Sequence, residues 1–531
     1  MIEKVLLIGW DGATWAYIDP LLAEGALPNL AALLQRGARA TLLSTIPPYT
    51  NVAWPSLVTG LSPAQTGIFD AAKPRPNSYM FIPTNRYRGI PFWRWVNRFG
   101  LRAGVINVPM TYPAEPLDGY MVTGFDSPRR SPRIAYPADL LERWADQGHP
   151  YQVLEEEIDL MDHQNPHQRR LPLEPFLRRW ERLTEEQGDL VAWLWGHDPV
   201  DLFFVVFSVT DSVNHRTRDW EAIRRAYMAA DQALGRILEV VKEDTLICLV
   251  SDHGSTPAHR YVVLYCLLAD AGWLRFRPEI APRFWRRLPW GIGRAVGSGW
   301  RKLPSVLRRR LSWPLLRWDG RLVGGFENID WPSTQVFART AIGPLYINTI
   351  GRWPQGCVSV NELATLKAEV KERLLALQDD EGAPLFKQVW DVTELYPDAR
   401  LEDSPPDLVL EPARWSDHLI TGTPADPVTR LIPREREYGT HTPEGILVLV
   451  GPGVQEGITL TEAHITDVVP TLLATWGLPL PKGINGHVIK ETFVIPPEVR
   501  WEEVGEEEGL ECEESDSEEV MGRLRALGYL E

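Results

Sequence analysis

Three apolar runs of this chain each stop at an aspartate: VLLIGW before Asp11, LFFVVFSV shortly before Asp211, and TLICLV shortly before Asp252. A strand whose two faces are both covered by helices reads as a near-continuous stretch of Val, Ile, Leu and Phe. The runs are therefore expected to be parallel strands of an open α/β sheet, with the aspartates just past their carboxyl ends, where such sheets place ligands. Between the second and third runs, Ile223, Tyr227, Ala230, Leu234, Ile237 and Val241 mark one face of a helix over about 219–242, the return leg of a right-handed crossover.

Three bare carboxylates gathered on one edge would repel one another, and each would have its ionised form disfavoured. Bound cations resolve that conflict. His215, His253 and His441 lie in or beside the same kind of strand sequence and add imidazole nitrogens. Aspartate oxygen with neutral imidazole suits Zn, Mn or Fe better than Mg or Ca. The four cysteines, Cys248, Cys266, Cys357 and Cys512, are scattered and argue against a thiolate site or a disulfide framework. The donors exceed what one tetrahedral ion can hold, so a pair ~4 Å apart is expected, clamping the attacking and leaving oxygens of an in-line displacement. Taken singly, each aspartate also reads as a helix N-cap, and Asp11 before Gly12 invites that reading most.

In this chain order the set resembles the alkaline phosphatase superfamily, and within it the type I phosphodiesterase and nucleotide pyrophosphatase family, over Val5 to about Ile489 and tightly only at the motifs. The resemblance implies an α/β fold: a three-layer α/β/α sandwich with a mostly parallel sheet, one reversed strand and inserted cap segments. The strand after His441 is the natural candidate for the reversed one, because His441 precedes its strand whereas the aspartates follow theirs. Counting back from Thr59 and Gly60 in SLVTGLSPAQTGI lands on Thr50 as the nucleophile. By the same resemblance Asp11, Thr50, Asp252 and His253 hold one metal, and Asp211, His215 and His441 hold the other, with Zn expected and Mn the alternative. Asn51 is a candidate substrate contact. Two positions depart from the family pattern: Ala71 stands where an asparagine usually helps to hold a phosphate oxygen, and Thr66 where a histidine is usual.

The expected chemistry is hydrolysis of a small phosphorylated substrate, a phosphodiester or nucleotide pyrophosphate, through a phosphothreonine on Thr50, since a hydroxyl held by a dication loses its proton far more readily. The alternatives are a phosphomonoesterase or phosphomutase of the superfamily, or a phospho-ligand binding protein without turnover. A sulfatase is disfavoured because no C/S-x-P-x-R motif is present.

The expected organisation is an N-terminal part of the core over 1–265 with a helical insertion at about 128–200, a basic Trp/Arg-rich insertion or cap over 266–332, the rest of the core over 333–495, and an acidic tail with a short C-terminal helix over 496–531. Residues 275–321 carry Glu279 and Asp319 as their only acids in a chain of formal charge −16. That local reversal fits a cap meeting an anionic substrate, a peripheral contact with an anionic membrane, or a solvated face. Nucleic acid ranks last because no recognised module is present. The tail could dock on the core or on a second subunit in an oligomer. Histidines outside the motifs, His418 among them, read as surface or supporting groups. The chain enters its first strand at once, leaving no room for a cleaved signal peptide, and no apolar run reaches membrane-spanning length, so a cytoplasmic protein is expected.

Overall fold

The computed structural model describes residues 2–84, 87–128, 131–148, 151, 171–277, 326–340, 342–422, 428–432 and 438–503. The basic segment from 278 onward, the acidic tail from 504 onward and most of 149–170 lie outside the described residues, and with them the expectations placed there.

In chain order the strands that frame the site are β1 (Lys4–Trp10), β2 (Gly37–Leu43), β3 (Ala103–Val108), β4 (Gly119–Thr123), β5 (Ala135–Tyr136), β6 (Leu202–Phe207), β7 (Thr245–Val250), β8 (Gly254–Pro257), β9 (Gly439–Thr442), β10 (Glu444–Val450) and β11 (Ile458–His464). All but β8 and β9 form one nine-stranded sheet in the order β11-β2-β10-β7-β1-β6-β3-β4-β5. β1, β6, β7, β3 and β4 run parallel. β10 is antiparallel to both of its neighbours, as expected for the strand following His441, and the two-residue edge strand β5 is also antiparallel.

Helices cover both faces. Successive strand residues point to opposite sides, and Phe203 and Phe204 show where each side leads. Phe203 packs on Trp195 of the helix α3 (Leu173–His197), with ring centroids 5.9 Å apart, whereas Phe204 packs on Trp54 of the helix α2 (Thr50–Thr59) at 5.8 Å. Gly9 of β1 faces the same Trp54. A Cβ there would stand 2.5 Å from the indole, so glycine is required for α2 to lie this close to the sheet. On the other face Trp10 meets Tyr227 of α5 (Trp220–Leu238) edge-on at 6.4 Å. The residues of β6 and β7 are buried throughout, which is what unbroken apolar runs achieve: each large side chain removed from water contributes about 1.5–3 kcal/mol. Trp180 and Trp195 of α3 are buried, as packing residues should be.

Around this frame stand an antiparallel four-stranded sheet built from Val336–Ala338, Pro344–Ile347, Leu408–Pro412 and Phe386–Asp391, and a three-stranded sheet of Arg260–Val263, Asp417–Ile420 and Thr429–Leu431. Thr429–Leu431 pairs antiparallel with Arg260–Val263, a long-range pairing that a polar local sequence does not announce. No helix among the described residues is long and apolar enough to cross a membrane.

Candidate metal centre and nucleophile

Register brings the ligand-bearing ends level. Trp10 pairs with Phe207 and Gly9 with Val250, so Asp11, the short helix α4 (Val209–Asn214) carrying Asp211, and Asp252 leave the sheet side by side. The chain turns sharply at Gly12, whose φ of +67° suits glycine, and its N–H donates to Asp252 Oδ1 at 3.2 Å. The N-cap reading of Asp11 fails: Thr14 caps the following helix through Ala16 N, and the Asp11 carboxylate is free for other work. His215 follows Asp211 by one helical turn, which sets its Nε2 3.3 Å from Asp211 Oδ2.

The two hairpin-like strands β8 and β9 close the bowl. They pair antiparallel with His441 opposite Ser255, and this carries His441 back over the strand ends. Its ring stacks on His253 with centroids 3.8 Å apart, its Nε2 lies 2.8 Å from His215 Nε2 and 3.6 Å from Asp211 Oδ1, and its Nδ1 bonds Pro48 O at 3.1 Å. Thr50 is the first residue of α2, and its Oγ1 sits 3.1 Å from His253 Nε2. One turn on, Trp54 donates its indole N–H to Asp11 Oδ2 at 3.4 Å.

All seven residues predicted as ligands or nucleophile thus converge, and all are buried. The donor atoms of Asp11, Asp252 and His253 lie within 4.8 Å of one another, and so do those of Asp211, His253 and His441. His253 therefore stands between the two groups, where the resemblance had assigned it to the first alone.

The electrostatics are those of a cation site. Burial, with Asp252 and Asp211 alongside, holds the Asp11 carboxyl well above the usual carboxylate range. Burial and then Asp211 push Asp252 up to about 7. For Asp211 burial acts upward too, but His215 and His441 outweigh it and leave the group lowered. Burial drives His253 down to about 3 and His441 well below its ordinary value, so both rings are neutral and have nitrogen lone pairs to offer. Asp11 Oδ1, Asp211 Oδ1 and Asp252 Oδ2 are buried without a hydrogen-bond partner among the described residues. Orphaned carboxylate oxygens beside neutral imidazoles are what a divalent cation would satisfy.

The sequence profile of the family described as type I phosphodiesterase / nucleotide pyrophosphatase matches residues 5–294. The chain belongs to this family. Members of this family are metal-dependent, and the chain is a phosphoric ester hydrolase. Among solved structures, phosphonoacetate hydrolase from Sinorhizobium meliloti 1021 in complex with phosphonoformate is similar, with a TM-score of 0.55 and 16% identity over 88% of this chain and 94% of that one. Human ectonucleotide pyrophosphatase / phosphodiesterase 5 is similar with a TM-score of 0.50 and 13% identity over 92% of this chain and 100% of that one. Both share the fold of this alkaline phosphatase-like chain. No curated protein sequence matches.

Some neighbours of the site carried no signal in the sequence. Ala71 is fully buried and offers no side-chain donor, in keeping with the departure noted for that position. Asn107 within β3 and Met110 just after it take positive φ of 61° and 64°, and Met110 Sδ receives the Asn51 Nδ2 hydrogen at 3.0 Å. His418 is half-buried rather than a surface group: its Nδ1 pairs with Tyr438 OH at 2.8 Å, and burial pushes it down to about 3. Only chain reversal places Tyr438, three residues ahead of His441, against His418.

Proposed function

We propose that the chain hydrolyses phosphodiesters with Thr50 as nucleophile, at a centre where Asp11, Asp252 and His253 would hold one divalent ion and Asp211, His215 and His441 a second, Zn or Mn. The observation that carries this reading is the placement of Thr50 Oγ1, buried and 3.1 Å from His253 Nε2, at the rim of a bowl of orphaned carboxylate oxygens. When bound, such ions lower the pKa of a hydroxyl and neutralise charge on phosphoryl oxygens. The protein's own residues do the rest. Tyr49 as N-cap starts α2 at Thr50, and its carbonyl accepts from Val52 N and Ala53 N at 2.8 Å each, so the N–H groups of Thr50 and Asn51 would be the ones to meet an incoming anion at the positive end of the helix dipole. Trp54, one turn along, fixes the helix to Asp11. His253, held by its Nδ1 contact to Gly254 O at 3.0 Å, keeps Nε2 turned to the Thr50 hydroxyl. Thr50 Oγ1 would give up its proton and bond to phosphorus as the bond to the opposite ester oxygen breaks; that oxygen would take up a proton and leave as the alcohol, and water would then cleave the phosphothreonine and restore the Thr50 hydroxyl.

Membership of a family described as type I phosphodiesterases and nucleotide pyrophosphatases supports a diester over a monoester. Bis(p-nitrophenyl) phosphate and p-nitrophenyl phosphate, each with Zn or Mn, provide the test. The diester is expected to react faster. Faster monoester turnover would assign a phosphomonoesterase, and reaction of neither would overturn the phosphodiesterase reading.

A further inference from the structure

The segment that brings Thr50 to its place is held from outside the nine-stranded sheet. Between the end of β2 at Leu43 and the start of α2 at Thr50 runs the stretch STIPPY. Tyr396 reaches it from the antiparallel four-stranded sheet: the strand Phe386–Asp391 passes directly into the short helix Val392–Leu395, and Tyr396 follows as the C-cap. Its hydroxyl answers both backbone groups of one residue, accepting from Ile46 N at 3.1 Å and donating to Ile46 O at 2.9 Å. Burial pushes this phenol upward from its ordinary range, so it keeps the proton that it donates. The ring packs on Phe69, with centroids 6.2 Å apart, beside Ala64 and Val392.

The path from Ile46 to the nucleophile is short and stiff. Pro47 and Pro48 come next, each with φ fixed by its ring, then Tyr49 as N-cap and Thr50. His441 Nδ1 bonds Pro48 O at 3.1 Å, so a shift at Ile46 has little slack in which to dissipate before α2. The same outer sheet also grips the chain beyond α2. Asp403 accepts from both terminal nitrogens of Arg88 at 2.5 and 2.7 Å, while Arg88 donates to Ala64 O and Gln65 O at 2.9 Å each. Thr340 donates to Asp70 at 2.5 Å. The contact at Ile46 precedes the helix and the other two follow it, so the outer sheet fixes α2 from both of its ends.

We propose that Tyr396 is a positioning residue, whose hydroxyl fixes the entry to α2 and thereby holds Thr50 Oγ1 in line for attack on phosphorus. The inference rests on the reading of Thr50 as nucleophile given above. A nucleophile misplaced by about 1 Å loses on the order of a hundredfold in rate, whereas one neutral hydrogen bond contributes modestly to stability. Loss of the hydroxyl is therefore read in turnover ahead of unfolding.

Tyr396→Phe keeps the ring against Phe69 and removes only the hydroxyl. On bis(p-nitrophenyl) phosphate with Zn or Mn, assayed well below the Tm, kcat is expected to fall about tenfold or more, while KM and metal content stay near those of the wild type. Thr50→Ala, assayed alongside, is expected to be inert. A Tyr396→Phe kcat equal to that of the wild type, with or without a lower Tm, would make the hydroxyl a structural brace and overturn the positioning role. A higher KM at unchanged kcat would assign it to ground-state binding, and loss of metal would trace the effect to the ion site; either result also overturns it. With Thr50→Ala inert, all of these leave the nucleophile reading standing. Wild-type turnover by Thr50→Ala, or no hydrolysis by the wild type, would overturn both.

Discussion

Thr50 stands first in its helix, and everything proposed for it depends on one hydroxyl. Thr50→Ala is expected to lower kcat by at least about a thousandfold on bis(p-nitrophenyl) phosphate, the scale on which a nucleophile acts together with its activating groups, while metal content by elemental analysis stays near that of the wild type. Substantial turnover in that variant would remove Thr50 from the mechanism. Gly12 offers a complementary test because it shapes the site without offering a ligand. A Cβ at that position would sit 2.8 Å from Asp211 Oδ1, on a residue with φ of +67°. Gly12→Ala is expected to cost about 1–2 kcal/mol from the backbone conformation and to reduce metal affinity by displacing Asp211, read by urea unfolding and by metal titration. At this scale the aspartates and histidines were legible, since each adjoins its own strand. The bulge at Asn107, with its positive φ, was not legible, since neither leaves a mark in VINVPM.

Among the elements, α5 ties the layer behind the sheet together. Asp231 on α5 is 1% exposed and accepts from Leu30 N at 2.8 Å and from Asn29 N at 3.2 Å, so it caps the helix Pro28–Gln35, whose own N-cap position, Leu27, has no capping side chain. Asp231→Ala is expected to destabilise the protein by about 1–2 kcal/mol, the range for a lost helix cap, measured by chemical denaturation with kcat unchanged. Asp467 acts likewise, accepting from His464 N and His487 N at 2.9 and 2.7 Å. The apolar spacing of α5 was readable from sequence, yet the helix ends at Leu238 and Val241 falls beyond it. The short strands β8 and β9 were not foreseen, because their four-residue sequences carry polar and ligand residues in place of an alternating apolar pattern, and they exist through pairing across some 180 positions.

For the molecule as a whole, the clustered carboxylates lead to the prediction that stability depends on bound cations. In metal-free protein the folded Asp252 has a pKa of about 7 against an ordinary 3.8, so the folded state holds protons that the unfolded state has released, and stability is lost as pH rises from about 4 to about 7. After chelator treatment the Tm is expected to fall between pH 5 and pH 8, and readdition of Zn or Mn should raise Tm and flatten that slope, since ligands that bind only the folded state stabilise it. Equal slopes with and without metal would show that the cluster carries no such strain.

The sequence by itself determined the buried parallel strands, the aspartates at their ends, the reversed strand after His441 and the donor types of the site, because burial and strand period act locally on residue choice. Tertiary structure alone decided that His253 lies between both groups of donors, that Thr50 meets it across a helix terminus, and that the Asn51 side chain reaches Met110. Those relations depend on strand register and chain reversal between segments as much as two hundred residues or more apart, and such distances are set by packing of the whole sheet.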